Sequence, residues 1–183
     1  LQDTAFDMEA FVGGKLAERL GRILNEHFTT GTGTGQPNGV VTASSAGVTT
    51  NSTTAFTFEE ILDLKHSVDP AYRGPNARFM MSDSTLAAIK KLSVGSSDAR
   101  PLWQPSFVVG EPDRIDGSLY TVNQDMADSG TAENIFMLYG DFSKYIIRDV
   151  LGTQIMVLRE RYADYHQLGI LGFSRYDGDL IDA

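Results

Sequence analysis

Four kinds of residue in this chain could carry chemistry: histidines, neighbouring carboxylates, a serine and a run of glycines. His27, His66 and His166 are the imidazoles available to a metal, but none belongs to the H-x-x-x-H pair that sets two ligands on one helix face. They read as solvated or capping side chains, and no metal is expected. Asp141, Asp149, Glu160 and Asp164 could supply two carboxylates for general acid and base work. In a chain with 24 acidic residues against 15 basic ones, solvated strand edges and turns account for them. Ser174 lies inside a strand pattern and lacks the G-x-S-x-G turn that presents a nucleophile.

The glycine run, TTGTGTGQPNGVV over Thr29–Val41, has the look of a phosphate cradle. A dinucleotide fingerprint would need glycine where Gln36 or Asn38 stands, and no lysine follows the run as a P-loop requires. The single Gly-Lys pair, Gly14-Lys15, is followed by Leu16 where a hydroxyl should hold magnesium. A helix precedes the run, and Pro37 with Gly39 gives it turn composition. The reading is a helix stop and tight turn with Gly31 as C-cap. No nucleotide or other cofactor is expected.

The elements that must position these residues follow from periodicity. Met8, Val12, Leu16, Leu20, Leu24 and Phe28 recur every four residues, with Phe11 and Ile23 widening the stripe. This predicts one amphipathic helix over Asp3–Thr29, about 40 Å long, with Glu18 and Arg22 paired on its polar side and Gly13-Gly14 as the place for a kink. Residues 42–56 are small and polar and read as a surface loop. The sequon Asn51-Ser52-Thr53 in it is a chance match without a secretory signal. Thr57-Phe58-Glu59-Glu60 is a capping box opening a helix through Ile61, Leu64 and Val68 that Pro70 stops. Ala77–Ser82 reads as a buried strand, Asp83–Leu92 as a helix, and Ser93–Ser106, with the single tryptophan Trp103, as a loop. NIFMLYGDF, KYIIRDV, TQIMVLRERY and QLGILGFSRY are β-branched and aromatic runs separated by Gly-Asp, Leu-Gly-Thr and Ala-Asp turns, the pattern of an antiparallel sheet. A long helix with such a sheet is an α+β architecture.

Composition sets outer limits. The 183 residues, 42% hydrophobic and 21% charged, can bury a real core. No apolar run approaches the roughly 20 residues that span a bilayer, and no membrane partner is expected. Zero cysteines exclude disulfides, thiolate zinc sites and a cysteine nucleophile. A net charge of -9 lacks the basic footprint of a dedicated nucleic-acid binder.

Taken in order, GTGTGQPNGV, EEILDLKHSVDPAYRGPNARFMMSDSTLAAIKKL, RPLWQP, NIFMLYGDFSKYIIRDV, RERYAD and GFSRYDGDLID resemble the C-terminal part of the major capsid proteins of tailed bacteriophages and prophages. The resemblance runs from Phe6 onward. It departs at Ser97-Asp98-Ala99-Arg100, where the family has Lys-Asp-x-x-Gly-Arg, and at Gly117-Ser118-Leu119-Tyr120, where it has Gly-Tyr-Pro-Val.

The resemblance implies the α+β capsid fold named after the Hong Kong phage HK-ninety-seven. The long spine helix and the late sheet make a peripheral subdomain, and a mixed α/β segment makes the axial one. The expected division is 1–41 (spine helix and glycine-rich joint) and 135–172 (sheet) as peripheral, with 42–134 and a C-terminal strand at 173–183 as axial. The implied role is a structural subunit, not an enzyme, that self-assembles into pentamers and hexamers of an icosahedral shell. That shell encloses DNA without sequence-specific binding. Scaffolding, protease, portal and decoration proteins are the implied partners, and the virion is the implied location after assembly in host cytoplasm. Arg148, Arg159, Glu160 and Arg161 are candidate intersubunit contacts. Leu1 is not an initiator methionine, so the family's N-terminal arm and extended loop are expected to precede it. The covered chain alone is expected to be monomeric or to form small open oligomers. In the namesake capsid a lysine, an asparagine and a glutamate build an isopeptide crosslink. Counting back from Arg175 places His166 and Phe173 at the asparagine and glutamate, so that crosslink is not expected. An encapsulin-type compartment shell is the alternative within the fold, and a small α+β hydrolase or nucleotide-binding enzyme the alternative outside it.

Overall fold

The computed structural model describes residues 8–52, 55–95, 98–101, 103, 113–130 and 134–181. Among the described residues four helices, α1 (Met8–Thr30), α2 (Val40–Ala43), α3 (Phe58–Ser67) and α4 (Asp83–Lys90), accompany seven strands. The strands are β1 (Arg78–Met81), β2 (Ser93–Gly95), β3 (Asp98–Pro101), β4 (Leu119–Val122), β5 (Met137–Gly140), β6 (Tyr145–Leu158) and β7 (Gly169–Leu180).

The core is built on a three-stranded sheet in the order β4-β1-β5, with β1 parallel to β4 and antiparallel to β5. Strand alternation sends Phe79 and Met81 to one face and Met80 to the other. Phe79 and Met81 are fully buried with Ile61 of α3, Leu86 and Ile89 of α4, Ile115 and Met137. Met80 packs on the opposite face, against a cluster of Val40, Met126 and Leu138. Both faces are covered, which is why β1 reads as a continuous apolar run. Removing the Phe79 ring would cost about 3–5 kcal/mol.

Local signals place the helices. Thr57 accepts from Glu60 N while Glu60 accepts from Thr57 N at 2.7 Å, the predicted capping box. Glu60 also accepts from Asn51 N, and these two backbone donors hold its carboxyl below the ordinary value. α3 ends at Ser67, and Pro70 then opens a short 3-10 turn capped by Asp69. Ser82 caps α4, which stops two residues earlier than expected.

Several elements differ from those the sequence predicts. The four late runs do not form one antiparallel sheet. The first becomes β5 and pairs with β1, while the second and third merge into the 14-residue β6, which pairs with β7 in a two-stranded ribbon. The Leu-Gly-Thr segment is a bulge within β6, where Gly152 takes φ +64° and donates its N–H to Asp149 Oδ1 at 3.1 Å. Residues 173–180 continue β7 without a break from 169–172, so no separate C-terminal strand starts at 173. The segment read as a loop after Ser93 contains the β2-β3 hairpin. β4 follows an Asp116-Gly117 turn with positive φ at both residues, a hairpin signal the reading passed over. Lys65 Nζ pins that turn to α3 through Asp116 Oδ2 at 2.6 Å. Thr53 of the sequon and residues 3–7 of the predicted helix lie outside the described residues.

Candidate assembly surface

Helix α1 lies along β7 in the same direction. A methyl added at Gly172 would meet Leu16, and one added at Gly178 would meet Tyr145 and Phe28. Leu16 to Phe28 is about 18 Å of helix and Gly172 to Gly178 about 20 Å of strand, so the two elements stay in step. Glycines on β7 let the helix approach closely. Phe28 closes the end of this layer with edge contacts to Tyr145 and Tyr176.

The glycine-rich segment after α1 is a clasp. Gly39 N donates to Gly31 O at 2.9 Å, and Thr32 and Asn38 bridge across it. Asn38 N donates to Gly178 O at 3.0 Å, its Nδ2 donates to Asp179 Oδ1 at 2.9 Å, and its carbonyl accepts from Tyr145 Oη at 2.8 Å. Burial and the nearby Asp179 and Asp177 carboxylates push the Tyr145 phenol up to about 12. Gly31 follows the last residue of α1, as expected of the helix stop, and its N–H donates to His27 O at 2.9 Å, but its φ is not positive. Glycine is required there because a methyl would run into the backbone oxygens of His27 and Pro37. The correction here is that a helix does start after the run, at Val40, although α2 is a single turn. On the other side of α1, Asn123 Nδ2 donates to Thr29 Oγ1 at 2.8 Å, and Asn25 donates to Asn123 and Asp125. The end of the long helix is thereby tied both to the ribbon and to the loop after β4.

The candidate charges fall in two separate places. Arg148 lies on β6 opposite Asp177, on the ribbon face turned away from α1. There it lines a cavity of about 490 Å³ together with Arg175, Gly33, Gly35 and Gln36. Arg159, Glu160 and Arg161 lie just past the far end of β6, about 36 Å along the strand from Arg148. Arg161 sits over the Tyr162 ring, 5.8 Å from its centroid, and the Glu160 carbonyl accepts from Ala163 N. The structure therefore does not bring the four together. Arg175, which the fold places beside Arg148, carries no signal of this in the sequence; two arginines at diagonal positions of a hairpin become neighbours only through the register.

The remaining chemical candidates have structural surroundings. Asp141 accepts from Ser143 N at 3.0 Å, and its hydrogen bonds to Ser143 hold its carboxyl below the ordinary value. Asp149 anchors the bulge, and Asp164 lies in the 3-10 turn at the ribbon tip. His66 Nδ1 is 3.0 Å from Arg73 Nη1, His27 is in the last turn of α1, and His166 holds the tip with φ +53°. Among the described residues no three His, Asp or Glu side chains are grouped as a metal site. Among the described residues no helix is long and apolar enough to cross a membrane.

Residues 1–183 match the phage capsid family. The chain belongs to that family. Its structure is similar to the capsid of a native GTA (gene transfer agent) particle computed with C5 symmetry, with a TM-score of 0.85 and 26% identity over 98% of this chain and 64% of that one. It is similar also to the capsid of an empty GTA particle computed with C5 symmetry, with a TM-score of 0.80 and 26% identity over 98% of this chain and 65% of that one. The chain thus spans just under two thirds of the length of those capsid chains. No curated protein matches it. The phage-capsid resemblance and the HK-ninety-seven-like α+β fold expected from the sequence both stand.

Apolar surface lies open on the ribbon of this member of the phage capsid family. Ile146, Ile147, Ile155, Met156, Leu171 and Phe173 on the ribbon are each about half exposed. The register puts Ile146, Met156, Leu171 and Phe173 on the face away from α1, and Ile147 and Ile155 on the other. Phe11 and Ile23, expected to widen the buried stripe of α1, are exposed as well.

Proposed function

We propose that this chain is the shell-forming part of a phage or prophage major capsid protein, with a structural and not a catalytic role. Its copies form pentamers and hexamers that tile a closed icosahedral shell around DNA. The observation that carries this reading is the half-exposed apolar side chains on both faces of the β6-β7 ribbon, in a chain of the phage capsid family. A two-stranded ribbon is marginal by itself and needs packing partners; one helix covers only part of it. The C5 symmetry used for the GTA capsids supports five-fold rings as one assembly product.

In this reading α1 and the β6-β7 ribbon form the peripheral subdomain, and the β4-β1-β5 sheet with α3 and α4 forms the axial one. Run 137–140 then belongs to the axial sheet, and the clasp at residues 31–39 is the joint. A shell with net negative subunits encloses DNA without holding it tightly. Assembly in host cytoplasm, with scaffolding, protease, portal and decoration proteins encoded nearby, completes the reading. Electron microscopy of the full-length product, expressed alone or with its genomic neighbours, tests it. Closed particles are expected, and a monodisperse subunit under every co-expression would refute the reading.

A further inference from the structure

The cavity beside the glycine clasp is lined by two guanidinium groups, Arg148 and Arg175, and one carboxylate, Asp177, with no ion pair between them among the described residues. Arg148 faces Asp177 across the ribbon, but Asp177 Oδ1 accepts from Gly178 N at 2.9 Å instead. Arg175 stands opposite Val150, one diagonal step from Arg148 on the same face. Asp177 offsets one of the two positive charges in the lining, and a second carboxylate would balance the other.

The opposite wall is fixed in place. Gly33 N donates to Pro37 O at 3.2 Å, Gln36 Nε2 donates to Thr32 Oγ1 at 2.9 Å, and Asn38 ties the turn to β7. Gly35 takes φ +71°, and nothing lies within 4 Å of where its Cβ would be, so no side chain closes the opening. A cavity of about 490 Å³ exceeds any single side chain and admits the tip of a loop.

We propose that this cavity is a carboxylate-binding site, filled in the assembled shell by an aspartate or glutamate of a second copy of the chain. The proposal rests on the capsid reading. Planar guanidinium forks match carboxylate oxygens in paired hydrogen bonds. With 24 acidic residues against 15 basic ones, a second copy has a net charge of -9 and an excess of carboxylates to offer. Nucleic acid is the weaker occupant, because two cations without a further row of lysines or arginines do not track a phosphate backbone.

The test uses the full-length shell protein carrying Arg148→Ala and Arg175→Ala. Both side chains are exposed in the single subunit, so its thermal midpoint is expected to stay within about 2 °C of the parent. The yield of closed particles, counted by electron microscopy, is expected to fall at least about tenfold. Unchanged particle yield overturns the proposal. Failure of the unsubstituted protein to form particles overturns the capsid reading instead. A defect seen only in DNA-filled particles, with empty assembly intact, assigns the site to phosphate and also overturns it. A second measurement uses the charge-preserving Arg148→Lys/Arg175→Lys protein. Particles mixed from light- and heavy-nitrogen copies are treated with a water-soluble carbodiimide, which joins an amine to a carboxylate in contact with it. Mass spectrometry is expected to find β6 or β7 peptides linked to an acidic peptide of the other isotope; links within one copy only, or none, overturn the proposal.

Discussion

Replacing Gly39 with alanine separates two reasons for glycine in the clasp. Gly39 has φ -66° and ψ 150°, angles that alanine adopts freely, so no backbone strain attends the change. The obstacle is space: the new Cβ would run into the Gly31 backbone nitrogen and stand 2.6 Å from the Thr29 carbonyl oxygen and 2.7 Å from the Thr29 carbonyl carbon. Ordinary contact begins at 3.4 Å, so Thr29 must retreat by about 0.8 Å (3.4 minus 2.6). Thr29 cannot do so cheaply, because it is buried and its hydroxyl is held by Asn25 O at 2.7 Å and by Asn123. Overpacking against rigid backbone costs about 1–3 kcal/mol, and losing the Gly39 to Gly31 hydrogen bond adds about 1 kcal/mol. The expected total of about 3 kcal/mol corresponds to a fall in Tm of about 6–12 °C for a chain of this size. Gly35→Ala is the matched comparison. Its methyl meets nothing within 4 Å, but φ is +71°, so only conformational strain of about 1 kcal/mol applies. Thermal unfolding followed by far-ultraviolet circular dichroism reads both. A Gly39→Ala protein within about 0.5 kcal/mol of the parent, or one more stable than Gly35→Ala, would refute the close-packed clasp.

Three further outcomes are expected. Gly21→Ala in α1, where a methyl meets nothing within 4 Å, should raise stability by about 0.8–1 kcal/mol, read as a higher Tm; a lower Tm would mean that this helix face is packed in the subunit. Tyr145, pushed up to about 12 from an unfolded value near 10, contributes stability that is present below about pH 10 and lost as pH rises toward 12. Ultraviolet titration should show Tyr145 titrating late, beside Tyr120, which burial and the Asp113 carboxylate also push up, and Tyr145→Phe should remove the later phase together with that alkaline loss of stability. Finally, particles boiled in detergent should run as a single monomer band, since His166 offers no acylable amide and Phe173 no proton-accepting carboxylate; a ladder of covalent multimers would contradict this.

What the sequence determined is local or periodic. Thr57 with Glu60 specifies a cap because both partners lie within one helical turn. The four-residue spacing from Val12 to Phe28 specifies α1, and the ordered motifs were sufficient to place the chain in its family. What the tertiary structure decided is every pairing between segments far apart in the chain. NIFMLYGDF has the same strand propensity whether it joins β1 or β6, and only covering both faces of β1 selects β1. The Leu-Gly-Thr segment reads as a turn, yet the partner β7 runs unbroken past it, which turns the extra residues into a bulge. Gly31 and Gly39 look no different in sequence from Gly33 and Gly35. The first two are needed for space and the second two for positive φ, a distinction made by backbone atoms folded back from other positions. Arg148 and Arg175 are 27 positions apart in the sequence and become neighbours only through the register of the ribbon. Periodicity tells which side chains share a face, but it carries no information about which faces meet.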